Sequence, residues 1–592
     1  MERAVRELGN IIDAALGRSH LDLVVRGATL VNVFTREMYP VDVGVWKDTI
    51  IAVGELPIGA IDSADEVLDW SGRFLLPGFF DPHFHIGGSQ LCVPELARAL
   101  LMHGTTTIAS DLQELYAYAG PRGVRYVLDE AAGTGLRLLY LPAIHLLGIE
   151  RQGRFRHAIG ADEMVRMLDW PEAVGINEPP PAQVLGKNRS VLKVIAATRA
   201  RGQAFAGHMP SLHGTPVQAY AAAGGSSDHE SVSDVEGLEK LRVGVWPMMR
   251  QGSAASDMLR MLPMLTAAPG SAQFAMLCSD EQDAVDLFQR GNISQKLRLA
   301  VANGVDPITA VQMGTVNPAL YYKLADHIGS VSPGKAADLV AVADLTSFEV
   351  TDVVARGKPI LRSGKMVRAP RRRPHYPPYL QSQVRWPRDV SPGDFAIPAK
   401  GRQARVRVIG VEDGSFMSKR LERTLPIANG AVQMDPGHDI LKIAIIDRHS
   451  GRMKMASGFV SGIGLKDGAL ATTYCHVHYN VLVIGTSDEQ MALAATALAG
   501  IGGGVVVLHG RRVLVRWPLP LVGVFSTQTV ERTQADLLKA NQALKAIGCS
   551  FSSPVLGLSF VALTTIPYYG MTEKGLYDVE KEQFVDVVAD TE

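Results

Sequence analysis

Between Leu76 and Ile328, short apolar runs alternate with helical stretches, and this rhythm constrains the chain more than any other feature. Strand followed by helix, repeated many times, is the pattern of a parallel sheet covered by helices. Candidate strands end near His85, Asp111, Ala143, Glu178, His208, His229, Arg250 and Asp280. Eight such units in roughly 250 residues match the size of a closed (β/α)8, TIM-type barrel. The expected fold class is therefore α/β, with residues 76–328 as the barrel.

The flanks have another texture. Leu21 to Val53 and Gly329 to Leu361 both consist of short, β-branched, alternating runs broken by glycine and asparagine, which read as antiparallel strands. They predict one small composite β-sandwich domain, built from residues 1–75 (with an N-terminal helix) and 329–375, into which the barrel is inserted. Residues 376–400 read as a Pro-rich, extended linker. Residues 401–592 have the mixed periodicity of a separate C-terminal α/β domain.

Composition narrows the function. The net charge is -1, so no basic excess points to nucleic acid, and Arg371-Arg372-Arg373 reads as solvated linker charge. The four cysteines, Cys92, Cys278, Cys475 and Cys549, form no CxxC pair; neither a disulfide framework nor a thiolate zinc site is indicated, which suits a reducing cytoplasm. The N-terminus mixes acidic and basic residues and does not resemble a signal peptide. Met491 to Leu508 is uncharged and about long enough to span a bilayer. However, Gly502-Gly503-Gly504 splits it, and helix, glycine turn and buried strand is the better reading, with no membrane partner. A homodimer or higher homo-oligomer is expected.

The chemistry lies at the strand ends. In Phe79-Phe80-Asp81-Pro82-His83-Phe84-His85 the two imidazoles, two residues apart, point the same way. A lone HxH is weak evidence. Glu178 closes candidate strand 4, His208 strand 5, His229 strand 6 and Asp280 strand 8, and barrel enzymes place catalysis at these ends. Imidazole and carboxylate ligands without thiolate suit zinc, manganese or ferrous iron. Six ligands exceed what one catalytic zinc takes, so two divalent ions sharing Glu178 fit better. Asp280, able to touch both metal and water, is the expected proton carrier.

At these residues the chain resembles the adenine deaminases of the metal-dependent amidohydrolase superfamily. The resemblance rests on Leu76-Pro77-Gly78 before the HxH strand, His103-Gly104-Thr105-Thr106-Thr107, Gly175-Ile176-Asn177-Glu178, Ser227-Asp228-His229-Glu230, Arg250 with Gly252-Ser253-Ala254-Ala255, and GSVSPGKAAD from Gly329. It extends to Asp439-Ile440-Leu441-Lys442-Ile443, Arg448-His449, the segment Gly462 to Ala469, and Met571 to Leu576. It implies a two-metal site, usually manganese or iron, and hydrolysis of adenine to hypoxanthine and ammonia. By motif, His83, His85, Glu178, His208, His229 and Asp280 carry over as metal ligands, with Asp280 and Glu178 catalytic. Arg250, Ser253, Asp111, Glu114 and His478 are the expected substrate-binding residues.

Several positions depart from the family pattern. His-Ile-Glu-Ser-Ser reads His85-Ile86-Gly87-Gly88-Ser89; Asp-Pro-His-Glu reads Asp111-Leu112-Gln113-Glu114; Arg-Glu-Gly reads Arg250-Gln251-Gly252. Cys-Thr-Asp-Asp reads Cys278-Ser279-Asp280-Glu281, and His-Asp-Ser-His-Asn reads His476-Val477-His478-Tyr479-Asn480. Gly87-Gly88 removes bulk beside His85, which predicts room for a substituent. The alternative substrates are therefore an N6-substituted adenine, another amino-heterocycle or a cyclic amide. A non-catalytic paralogue is the reading from another class, and the complete ligand set speaks against it.

Overall fold

In the computed structural model, which describes residues 1–268, 270–371 and 375–592, each expected strand end lies on a strand or within a few residues of one. The strands are β1 (Phe79–Asp81), β2 (Thr105–Ser110), β3 (Arg137–Tyr140), β4 (Gly175–Asn177), β5 (Ala204–Ala206), β6 (Ser227–Asp228), β7 (Trp246–Arg250) and β8 (Met276–Cys278). Pairing is parallel along β1-β2-β3, β4-β5 and β6-β7-β8. Single bridges Tyr140–Ala173 and Ala143–Asn177 carry β3 to β4, and the Ser226 N–H donates to Phe205 O between β5 and β6. The circle closes just beyond β8 and β1, where His85 N–H donates to Asp280 O at 2.8 Å and Asp280 N–H to His83 O at 2.9 Å.

Alternation along the strands explains the sequence rhythm. Phe80, Met248 and Met276 share one core cluster with Ala109, Leu139 and Leu141, residues of neighbouring strands that fill the barrel interior. Phe79, Met249 and Leu277, each one residue away, pack instead with Met261, Ile293 and Leu297 of the surrounding helices. A strand buried on both faces must be apolar at consecutive positions, which is why these runs are continuous. The helices are punctuated by side-chain caps: Asn188, Ser233 and Asp283 accept hydrogen bonds from the first turns of Arg189–Ala200, Asp234–Arg242 and Ala284–Arg290.

The two flanks join into one hydrogen-bonded network of nine strands. Phe74–Pro77 pairs parallel with Leu23–Val31 and antiparallel with Leu339–Val342, joining the halves edge to edge. Its strands still enclose a common core, including Val25, Val43, Trp70, Leu339 and Val354. The connector around 376–400 is less extended than its prolines suggest. Leu380 and Phe395 are fully buried, and Ser391 and Asp394 form a capping box. Arg372 and Arg373 lie outside the described residues.

Beyond it, a ten-stranded sheet runs from Gln403 to Thr591, with helices Asp488–Gly500 and Val530–Ala546 packed on it. Met491 to Leu508 forms the second part of the first helix, a turn with left-handed glycines, and the buried strand Gly504–His509. No helix among the described residues is long and apolar enough to cross a membrane. This sheet unit sits against the barrel: Cys92 N–H donates to Ser526 O, Arg98 pairs with Glu531, and Ser553 Oγ donates to Asp283 at 2.7 Å. The interface brings residues of the C-terminal unit over the carboxyl ends of the barrel strands.

Candidate metal centre and substrate pocket

Where β4 and β8 end, Glu178 and Asp280 adopt left-handed backbone angles, φ 53° and 60°. Such angles are uncommon for residues with side chains and persist where the surroundings enforce them. Both carboxylates meet the two imidazoles that follow β1, His83 and His85. Glu178 Oε1 lies 3.5 Å from His83 Nε2, 3.3 Å from His85 Nε2, 3.1 Å from His229 Nε2 and 3.7 Å from His208 Nδ1. Asp280 Oδ1 lies 3.4 Å from both His83 Nε2 and His85 Nε2. The structure thus gathers all six histidines and carboxylates named from the sequence around one point, and Glu178 is central to them.

Three overlapping sets of donor atoms lie close enough to share an ion: His83, Glu178, His229 and Asp280; His85, Asp111 and Glu178; His208, His229 and Glu230. Several nitrogens here have no hydrogen-bond partner among the described residues although they are buried: His83 Nε2, both nitrogens of His208, and His229 Nε2. Buried polar atoms are nearly always satisfied, so unpaired imidazole nitrogens facing carboxylates fit divalent cations.

The electrostatics agree. Burial alone would raise the Glu178 carboxyl, but the facing imidazoles of His85, His229 and His83 outweigh it and hold it well below the usual range. Burial opposes the charged form of His229, yet Glu178 and Glu230 push it up to about 10. Burial likewise works against ionised Asp280, while His83, His229 and Arg250 hold it low. By contrast, burial lowers His208 and His145, which favours neutral imidazoles.

A supporting layer fixes these groups. Asp111 faces His85 Nδ1 at 3.2 Å and accepts from Asn177 at 3.1 Å, the kind of contact that fixes the orientation of an imidazole. Asp228 pairs with the buried Lys240 at 2.8 Å and accepts from Met209 N–H, pinning the backbone beyond His208. Arg250 is buried, donating to Glu230 at 3.1 Å, Asp280 at 3.0 Å and Asp257 at 2.7 Å. Its guanidinium is thus engaged by three carboxylates.

The pocket over this floor is lined by His85, Gln113, His145, Glu178, His208, Glu230, Asp280 and Glu281. Its opposite wall comes from the C-terminal unit and is largely apolar: Phe416, His476, Val477, Phe560, Leu563 and Ile566. A polar floor of imidazoles and carboxylates thus faces a largely apolar ceiling that holds two phenylalanine rings.

The family models divide along the same line. Residues 74–360 match the amidohydrolase family and residues 415–583 the adenine deaminase C-terminal domain. The chain is 35% identical to the adenine deaminase of Desulfatibacillum aliphaticivorans, over 98% of this chain and 99% of that one. It is 31% identical to the adenine deaminase of Desulforamulus reducens, over 99% of both. The chain belongs to the adenine deaminase family. Its fold is accordingly the α/β, TIM-barrel type of the amidohydrolases, with a site for divalent metal.

In this adenine deaminase family member, the three other expected substrate-binding residues lie outside the lining of this pocket. Ser253 Oγ donates to Asp286 at 2.6 Å and ties the turn after β7 to the helix Ala284–Arg290, outside the pocket lining. His478 stacks on Phe155, with ring centroids 4.7 Å apart, and its Nε2 lies 3.4 Å from Ile149 O; His476 is the histidine of that segment that reaches the pocket. Glu114 is buried beside Gly87 and does not line the pocket. The room expected at Gly87-Gly88 is filled. A Cβ at Gly87 would sit 2.0 Å from Glu114 Oε1, and one at Gly88 2.1 Å from Glu281 Oε2.

Sequence reasoning passed over Glu230, Gln113, His145 and the ceiling residues. Glu230 had a signal, since it directly follows His229 at a strand end, and His145 lies two residues past the third expected end. Phe416 and Phe560 had none, because only the docking of a distant unit brings them to the site.

Proposed function

We propose that this protein hydrolyses adenine to hypoxanthine and ammonia at a centre of two divalent metal ions, manganese or ferrous iron, with zinc as the alternative. The observation that carries this reading is the composite pocket: the metal-type floor belongs to the amidohydrolase segment, and the aromatic ceiling to the segment matching the adenine deaminase C-terminal domain. The relatives named above are adenine deaminases over their whole length.

His83, His85 and Asp280 would hold one ion and His208 and His229 the other, with Glu178 between them and Glu230 at the second. When bound, such ions polarise the reacting group and lower the pKa of a water. The remaining work falls to side chains. Arg250 fixes Asp280 Oδ2 and leaves Oδ1 facing the imidazoles. Asp280 takes the proton of the attacking water and passes it to the departing amino nitrogen, so that the C6–N bond breaks with loss of ammonia. Phe416 and Phe560, packed together with ring centroids 4.3 Å apart, cover the purine from the ceiling side and exclude bulk water.

We also take residues 76–328 as the catalytic barrel, 1–75 with 329–375 as the β-domain, 376–400 as the connector and 401–592 as the pocket-completing unit. Homo-oligomerisation through the exposed apolar face of the first helix, with Val5, Leu8, Ile12 and Leu16, fits the expected dimer. The four buried, unpaired cysteines suit the reducing cytoplasm.

The test is ammonia release from adenine by metal-reconstituted protein, with hypoxanthine formed in equal amount. Absence of both products from protein that holds two equivalents of metal would refute the assignment.

A further inference from the structure

One wall of the pocket carries a hydrogen-bond chain that spans both units of the molecule. Ser559 Oγ donates its only proton to Leu556 O at 2.6 Å. The same oxygen lies 3.1 Å from His476 Nδ1, so it must accept there, and Nδ1 carries hydrogen. The other ring nitrogen, Nε2, lies 3.0 Å from Glu281 Oε1. One proton therefore sits between Nε2 and Oε1, whichever of the two groups formally owns it. In either case the second oxygen, Oε2, has only lone pairs to offer.

That oxygen is buried and has no partner among the described residues. It lies where a Cβ at Gly88 would be, 2.1 Å from the ideal position, so this glycine is what lets the carboxyl occupy the wall. The His476 ring stacks on Phe560, with centroids 4.2 Å apart and 12° between planes, and the His476 backbone N–H donates to the Ser559 carbonyl at 3.1 Å. Burial lowers the His476 imidazole to about 4, which keeps Nε2 in the accepting form. Glu281 and His476 both line the pocket beside Asp280.

We infer that Glu281 is a specificity-determining residue, whose Oε2 accepts a hydrogen bond from the N–H of the purine's five-membered ring, with His476 and Ser559 as positioning residues. The inference rests on the adenine reading above. It makes the free base the preferred substrate, because a ring nitrogen that carries a substituent has no hydrogen to give and would leave a buried acceptor unpaired.

The test uses two aminopyrimidine-fused bicycles that differ in one atom. Aminopyrrolopyrimidine has a ring N–H where aminofuropyrimidine has an ether oxygen, with no added bulk. Both are measured as competitive inhibitors of adenine turnover on metal-loaded full-length protein. In the unaltered protein the N–H compound should bind tighter by about 10- to 100-fold, as expected for a site whose buried polar group is otherwise left unpaired. Glu281→Met keeps the length of the side chain and removes the acceptor, and should bring that ratio close to one. Gly88→Ala, which retains the carboxyl but forces it aside, should do the same if Glu281→Met folds poorly. Glu281→Gln should preserve the ratio, because its amide N–H can face His476 and its carbonyl the pocket. Bound metal should stay unchanged in all three. An unaltered ratio in Glu281→Met or Gly88→Ala would overturn the inference, even with adenine turnover intact; failure of the unaltered protein to deaminate adenine would instead remove the function on which it depends.

Discussion

Asp280→Asn separates proton transfer from ligation. The substitution keeps the shape of the side chain and removes its charge. In the native arrangement Oδ2 accepts from Arg250 at 3.0 Å, while Oδ1 faces His83 and His85 at 3.4 Å. The asparagine carbonyl can still take the Arg250 hydrogen bond, which turns the amide N–H2 toward the imidazoles and the reacting water. A group that donates there cannot accept a proton. General acid–base catalysis typically contributes at least about 10²-fold, so kcat should fall by at least that factor, or about 2.7 kcal/mol in the barrier. Binding should change less, because the aromatic ceiling and the Glu281 wall are untouched. Four histidines and Glu178 remain, so part of the metal should stay bound. The assay is steady-state ammonia release, with metal content measured by plasma emission on the same sample. A kcat near that of the unaltered protein would refute the proton-carrying role. Complete loss of metal would show that Asp280 acts chiefly as a ligand.

Other perturbations follow from the same geometry. His83→Ala with His85→Ala should abolish bound metal and activity together while far-ultraviolet circular dichroism persists, since the barrel core is separate from its rim; a double variant that retained metal would disprove the site. Lys240→Met strands the buried Asp228 carboxylate, and breaking such a pair costs about 3–5 kcal/mol, measurable by urea denaturation. Opposed by burial, Lys240 together with His229 and local hydrogen bonds holds Asp228 below its ordinary pKa, so the unfolded state binds more protons in acid. This contribution should therefore be present above the usual carboxylate range and fade as pH falls through and below it, and the variant should lack that acid-side component in its stability profile. Phe560→Ala should raise KM about tenfold or more by opening the ceiling and freeing His476; an unchanged KM would show that the ring does not touch the substrate.

The barrel was legible because its strands are buried on both faces. Phe79 packs outward against helices and Phe80 inward, and that demand writes continuous apolar runs into the sequence. The strand ends were legible for a related reason: a histidine or carboxylate directly after such a run has little structural purpose, and six of them coincided. The nine-stranded β-domain was legible as strands but not as one sheet, since alternation says which faces are buried and not which edges pair. The connector looked extended because its prolines limit helix and sheet. Its burial depends on Leu380 and Phe395 finding sites in units far along the chain.

The pocket wall shows where reading a sequence locally stops. Gly87-Gly88 signals a loss of side-chain volume, and volume lost beside a catalytic histidine invites the inference of space for a larger substrate. That step assumes that the neighbours stay where they would be if a side chain were present. Here Glu114 and Glu281 reach into the vacated positions, with oxygens 2.0 and 2.1 Å from where the two Cβ atoms would be. Glu281, one methylene longer than the aspartate of the family pattern, is long enough to meet both Gly88 and His476. The substitutions at positions 88 and 281 thus compensate for each other in space although almost two hundred residues separate them. The altered groups form a connected wall whose polarity, rather than its volume, selects the ligand. For this reason, the chemistry could be read from residues that each mark a strand end, while selectivity became readable only from contacts between a turn, a strand end and a separate folding unit.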